Sequence, residues 1–249
     1  MTAPAYRPPH LPPALSLIYL CLNEEKSLHA TLEEAVVFCA TDLTDWEIVV
    51  VDDGSTDASA DIVRAWTLRE PRVRLLQHGR NMGMGAGLKT GISQATKAYF
   101  CMLAADGQIP AVELRKMIPA LAHAPIVLST YGNRPNNWAR TAMSRGFRIY
   151  MRALVGVDFA LEGTYLFPVA LAKDEIGLAA IGADTFFFSF ELIVHAIRRG
   201  YAVADTVIGS RERSDGSGSR VANLKQISRV ASEVLAFRQR DRRGDGTPR

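Results

Sequence analysis

Three stretches of this chain end in polar residues whose types could handle a polar ligand. "LSLIYLCL" (15–22) runs into Asn23, Glu24 and Glu25; "WEIVVVDD" (46–53) ends on Asp52 and Asp53; "AYFCMLAA" (98–105) stops at Asp106, Gly107 and Gln108. A carboxylate at a strand end can accept a hydrogen bond from a ligand N–H, as Asp52 or Asp53 could. Asp106 and the Gln108 carbonyl, two residues apart, can point the same way. The same residues also suit local structure, since Asp-Gly and Ser-Thr-Asp favour turns and caps.

The apolar runs before these acids read as strands buried on both faces. Between them lie helix-like segments. "NEEKSLHATLEEAVVFCA" has Asn23 as its expected cap and acids in its first turn. "DASADIVRAWTLRE" reads as a second helix, "VRLLQH" as a third strand, and "GMGAGLKTGISQAT" as a Gly-rich turn opening a helix. This alternation predicts a parallel sheet with helices on both faces. In such sheets ligands bind beyond the carboxyl ends of the strands, so the three polar clusters are expected to converge on one crevice.

After residue 110 the rhythm loosens. "AVELRKMIPALAHA" predicts a helix and "PIVLST" a short strand. "NRPNNWARTAMSRGFRIYMRALVG" begins as a loop and becomes a basic helix; "TYLFP" is strand-like. "FFFSFELIVHAIRRG" is an amphipathic helix, "YAVADTVI" a strand, and a last helix spans about Val221 to Arg238. No internal repeat or interdomain linker is present. The expected organisation is a flexible Pro-rich start (1–13), one α/β domain (14–238) and a basic tail (239–249).

The bulk numbers agree with one large domain: 249 residues, 48% of them hydrophobic, with a net charge of only +3. That total argues against a nucleic-acid partner. The charge is uneven, however: from Arg198 to Arg249 there are twelve Lys or Arg against six Asp or Glu. This is either a solvated terminus or a basic edge that meets anionic headgroups or phosphates. Cys21, Cys39 and Cys101 are an odd number in apolar settings, which predicts buried free thiols. "MTAPAYRPPHLPPA" has no apolar h-region, so no signal peptide is expected. No uncharged apolar stretch approaches the roughly 20 residues of a membrane span. A cytoplasmic chain, peripheral at the inner membrane face, is the expectation.

The motifs, in order, carry a resemblance. "LCLNEEKSL" resembles a Pro-Ala-Tyr-Asn-Glu-Glu element. "VVVDDGSTD" (49–57) looks like the nucleotide-binding segment of family-2 glycosyltransferases of the GT-A fold. "GRNMGMGAGLKTG" resembles Asn-x-Gly-x-Gly-x-Ala, and "LAADGQIP" resembles Leu-Asp-Ala-Asp-x-Gln-x-Pro. The likeness is strongest to dolichyl- and polyprenyl-phosphate sugar synthases, and it extends from about residue 14 to 222. "YGNRPNNWARTAMSRG", "FELIVHAIRRGYAV" and "RERSDGSGSR" resemble that group's later elements.

The resemblance implies a Rossmann-like, mostly parallel sheet. Residues 14–110 would form the nucleotide-sugar half, 111–222 the acceptor half and 221–238 the C-terminal helix. It places Leu20, Leu22, Asn23, Glu24, Asp52 and Asp53 in the donor site. Ser55, Asn81, Gly83, Lys89 and Ala105 join them there. It implies Mg²⁺ or Mn²⁺, held by Asp106 and Gln108, to neutralise the donor diphosphate. Arg134, Arg140 and Arg213, with Ser144, match positions that grip an acceptor phosphate. Asp106, Arg134, Arg140 and Arg213 are the implied catalytic set.

Departures from the pattern are visible. Ala104 stands where the pattern has a further Asp, the gap from Arg134 to Arg140 is short, and Ser219–Arg220 is shifted by one residue. The expected activity is inverting transfer of a sugar from a nucleotide-diphosphate donor to a polyprenyl phosphate. A soluble hydroxyl acceptor is the alternative; it would need a base, for which Asp158 and Glu191 are candidates, each better read as structural. A nucleotide-sugar-binding protein without catalysis is the second alternative, motivated by Ala104. The five histidines are scattered and suggest no role.

Overall fold

Continuous apolar runs become strands covered on both sides. β1 (Leu15–Cys21) and β2 (Trp46–Asp52) are buried almost throughout. In the computed structural model, which describes residues 6–132, 146, 149, 152, 153, 155–212 and 224–243, they lie at the heart of a seven-stranded sheet. The other strands are β3 (Val73–Gln77), β4 (Tyr99–Ala104), β5 (Ile126–Tyr131), β6 (Tyr165–Pro168) and β7 (Val203–Ile208). Their order across the sheet is β3-β2-β1-β4-β6-β5-β7. β1 runs parallel to β2 and β4, β2 to β3, and β5 to β7; β6 alone is antiparallel to its neighbours β4 and β5. The sheet is therefore the expected mostly parallel one, and α1 (Glu25–Asp42), α2 (Ser59–Arg69) and α3 (Met84–Gln94) are its early crossovers.

Alternate strand residues feed two cores. Leu17, Tyr19, Ile48 and Val50 pack with Leu28, Leu32 and Phe38 of α1 on one face. Ile18, Val49, Val51 and Phe100 pack on the other face with Leu88 and Ile92 of α3, and with Phe187, Phe188 and Leu192 of α5 (Phe187–Arg198). Each of these side chains contributes about 1.5–3 kcal/mol through burial. α3 sits low on the sheet because it is Gly-rich: a Cβ on Gly91 would lie 2.4 Å from Ile18 Cγ2. The last helix, α6 (Leu224–Arg243), sends Val230, Val234 and Phe237 into the α5 side of the core.

Three local expectations are corrected. Asn23 does not cap α1. Its φ is 54°, its side chain is turned toward another loop, and Glu24 occupies the cap position without a side-chain cap hydrogen bond. The helix expected over 111–124 is a single α-turn, α4 (Leu114–Met117), flanked by 3-10 turns at Ala111–Glu113 and Ile118–Ala122. Pro119 lacks the N–H that a longer α-helix would need there. The final helix runs on past Arg238, its expected end, to Arg243. All three cysteines are buried and free, as expected. No helix among the described residues is long and apolar enough to cross a membrane.

Candidate functional site

The strand order reverses at β1: β2 and β3 lie on one side, β4 on the other. In sheets of this kind ligands bind at such a switch point, beyond the carboxyl ends of the strands. Register brings the polar clusters there together. Cys21 pairs with Asp52, Asp52 with Gln77, and Leu20 with Ala104. The ladder continues one step further, with Asp53 N donating to Cys21 O and Ala105 N to Leu20 O.

The first two loops are laced together. Asn23 N donates to Ser55 Oγ (2.9 Å), and Thr56 N donates back to Asn23 Oδ1 (2.8 Å). Glu24 N donates to Ser59 Oγ, and Glu25 N to Asp57 Oδ2. Burial works against the Asp57 carboxylate, but Ser59 and the Glu25 N–H outweigh it and hold that carboxyl below the usual range. Asn23, Ser55 and Asp57 thus fix the shape of the loop pair. Gly54, at φ 78°, is required because a Cβ would lie 2.4 Å from the Arg80 carbonyl carbon.

Asp52 and Asp53 divide their work. Asp53, 9% exposed, accepts Met82 N (2.9 Å), Gly83 N (2.8 Å) and a bond with His78 Nδ1 (2.7 Å). His78 Nε2 lies 3.0 Å from Thr90 Oγ1 in α3. Asp53 is therefore the anchor of the Gly-rich loop. Asp52 is fully buried; it accepts Ser55 N and Gln77 Nε2, both at 3.1 Å. Within that loop Asn81 Oδ1 accepts Gly83 N, and Lys89 Nζ lies 3.7 Å from Asp184 Oδ1. Leu20 packs on the α3-side core, Leu22 is half-buried, and Ala105 is fully buried on the α1 side.

At the end of β4, Ala104 is exposed and Asp106 is 8% exposed. Asp106 Oδ1 accepts Gln108 N at 3.0 Å, a tight turn through Gly107 at φ 71°. Among the described residues, no group of three or more His, Cys, Asp or Glu is placed to hold a metal ion. This donor set, one carboxylate with a neighbouring amide, fits a hard oxygen-seeking cation whose shell is completed by ligand oxygens and water. It does not fit a resident zinc site.

Two residues with roles here were not singled out in the sequence. Arg211 donates from Nε to Gly107 O (2.7 Å) and from its backbone N to Gln108 O (2.9 Å), and its guanidinium grips both oxygens of Glu34. It pins the Asp106 turn to the chain leaving β7. That Glu34 contact, larger than any opposing burial effect, raises the Arg211 pKa. The only signal was position, two residues before Arg213 in "RERSDGSGSR". His78 gave none, being one of five scattered histidines.

Arg134, Arg140, Ser144, Arg213, Ser219 and Arg220 lie outside the described residues. Of the candidate bases, Glu191 is fully buried and committed: it accepts Gly182 N, Ala183 N and Arg240 NH2. Asp158 is exposed, 3.8 Å from Arg152. Glu191 is therefore occupied in holding the 182–183 backbone to α6.

A mostly parallel sheet whose strand order reverses at β1, with an antiparallel strand inserted beyond β4, is the GT-A glycosyltransferase architecture. The chain matches the Glycosyl transferase family 2 model over residues 16–175, and it belongs to that family. It is 33% identical over 236 residues to dolichyl-phosphate beta-glucosyltransferase ALG5C of Trichomonas vaginalis, covering 87% of this chain and 69% of that protein. It is 29% identical over 189 residues to polyprenol monophosphomannose synthase of Mycolicibacterium smegmatis, covering 70% and 71%. Glucosyl-3-phosphoglycerate synthase of Mycobacterium tuberculosis, crystallised with Mn²⁺, UDP and glucosyl-3-phosphoglycerate, superposes with a TM-score of 0.69 at 19% identity. That superposition covers 96% of this chain and 82% of the synthase.

Proposed function

We propose that this family-2 glycosyltransferase moves a sugar from a nucleotide-diphosphate donor to a polyprenyl phosphate, with inversion at the anomeric carbon. The observation that carries the donor half is the convergence of the Asp53-anchored Gly-rich loop and the Asp106 turn at one switch point. The lipid-phosphate relatives, matched over most of this chain, support the acceptor half.

In this reading Asp106 and Gln108 hold a divalent cation, Mg²⁺ or Mn²⁺, whose charge offsets the negative charge growing on the departing nucleotide diphosphate. A homologous-fold synthase crystallised with Mn²⁺ and UDP supports that choice. The chain's own work is positioning. Asp53 and His78 shape the loop that carries Gly83, and Arg211 fixes the Asp106 turn. Arg134, Arg140 and Arg213, with Ser144, bind the acceptor phosphate through guanidinium forks. A phosphate monoester has a second pKa of about 6, so its oxygen is already largely ionised near neutral pH. No strong general base is then required; the oxygen has to be aligned with the anomeric carbon. The basic C-terminal part, rich in arginine from Arg229 to Arg249, meets the membrane face where such a lipid resides.

The test is a panel of UDP- and GDP-sugars with short polyprenyl phosphates and Mn²⁺ or Mg²⁺, reading released nucleotide. Lipid-dependent release supports the proposal. Release with soluble hydroxyl acceptors alone overturns the acceptor half. Ala104, exposed at the mouth where a second carboxylate would sit, favours one rival: tight nucleotide binding without turnover on any acceptor would make the chain a binder rather than an enzyme.

A further inference from the structure

We infer that Glu233 of α6 is a positioning residue for the donor site, acting through residues 182–185 on the first turn of α3. The inference rests on the proposed donor role of that turn. The relay is built from specific contacts. Asp184 N donates to Glu233 Oε1 (3.3 Å), and Thr185 Oγ1 donates to Glu233 Oε2 (2.5 Å). The two preceding N–H groups, of Gly182 and Ala183, each donate to Glu191 at 3.1 Å, and Arg240 of α6 closes over the same carboxylate at 2.8 Å. Gly182 admits that guanidinium, since a Cβ there would lie 2.4 Å from Arg240 Cζ. The N–H groups of three consecutive residues, 182 to 184, are thus held by carboxylates, one of them on α6.

The other side of the segment bears on α3. Gly85 N donates to Asp184 O at 2.9 Å. The fit is close: a Cβ on Gly85 would lie 2.6 Å from Asp184 Cα and 2.7 Å from Ala183 O. Lys89, one turn further along α3, lies 3.7 Å from Asp184 Oδ1. Glu233 itself is well covered, its side chain 15% exposed. A shift of α6 is therefore passed through a strut with little slack to the first turn of α3. In the proposed reaction that turn borders the donor site. The same helix carries the basic C-terminal residues, so α6 links the membrane-facing end to donor affinity.

Hydrogen exchange at the Gly85 and Gly87 amides tests the relay in the full chain, with UDP and GDP binding in Mn²⁺ measured alongside. Glu233→Ala removes both acceptors. It should speed exchange at those amides, and weaken binding of the nucleotide the parent takes, by about tenfold each, the loss expected of a charge-assisted hydrogen bond. Glu233→Gln, which keeps one carbonyl oxygen, should recover most of the loss. Ser232→Ala, at an exposed position next to Glu233 on α6, should change neither readout. If Glu233→Ala fails to fold, Thr185→Val, which removes the hydroxyl bound by Glu233, decides. Exchange at Gly85 and Gly87 equal to the parent in the folded variant overturns the relay. If the parent binds neither UDP nor GDP, the donor reading fails separately, and the exchange result still decides the coupling.

Discussion

Replacing Arg211 by Ala should cost stability modestly and activity heavily. Three side-chain contacts are lost. Two go to Glu34, but with Arg211 41% and Glu34 45% exposed that pair contributes about 0.2–1 kcal/mol. The third, from Nε to the Gly107 carbonyl at 2.7 Å, joins a charged donor to a buried acceptor and is worth about 1.5–3 kcal/mol. The expected loss is about 2–3 kcal/mol, or about 5–10 °C in Tm for a chain of this size. The backbone bond from Arg211 N to Gln108 O survives, so the Asp106 turn loosens rather than unfolds. A misplacement of about 1 Å at a reacting group costs on the order of 100-fold in rate. The assay is urea unfolding beside kcat/KM for nucleotide release. Glu34→Ala is the control: it removes only the exposed pair and should cost under about 1 kcal/mol with activity near the parent. Arg211→Ala with the expected stability loss but activity within twofold of the parent would refute the positioning argument. Equal effects from Glu34→Ala would refute it too.

Arg213→Ala should raise the KM for polyprenyl phosphate far more than that for the sugar donor; equal changes in steady-state kinetics would remove its acceptor role. Gly54→Ala should destabilise by about 1–3 kcal/mol, since it forces a Cβ against the Arg80 backbone at positive φ, and denaturant unfolding reads this directly. Acid should weaken the fold through Glu191. Burial opposes its charge, but His195, the Gly182 N–H and Arg240 outweigh that and hold its carboxyl below the ordinary glutamate range. Its contribution is therefore complete above about pH 4.3 and is lost as pH falls through the lower folded-state value. Unfolding free energies measured between pH 7 and pH 3 should fall at the acid end, and Glu191→Gln should flatten that fall.

The first half of the sheet was legible because its determinants are local. Strands covered on both faces are mostly apolar, and each such run here leads into a polar residue. The division between Asp52 and Asp53 was not legible, because it depends on where Met82 and Gly83 return in space. Nor was the capping of α1: Asn23 is a good cap by type, but it adopts a left-handed backbone and spends its side chain on Thr56. The insertion of β6 between β4 and β5 arises from long-range pairing that no run of residues announces. Glu191 and Arg211 owe their roles to partners 49 and 104 residues away, Arg240 and Gly107.

If Asp106 helps to hold the cation that binds with the donor diphosphate, Mn²⁺ uptake must depend on it. Electron paramagnetic resonance of Mn²⁺, titrated with protein in the presence of UDP or GDP, measures it. The parent chain should take up Mn²⁺ only together with the nucleotide it binds, and folded Asp106→Ala should lose this uptake along with turnover. Uptake by Asp106→Ala as tight as that of the parent would contradict that role.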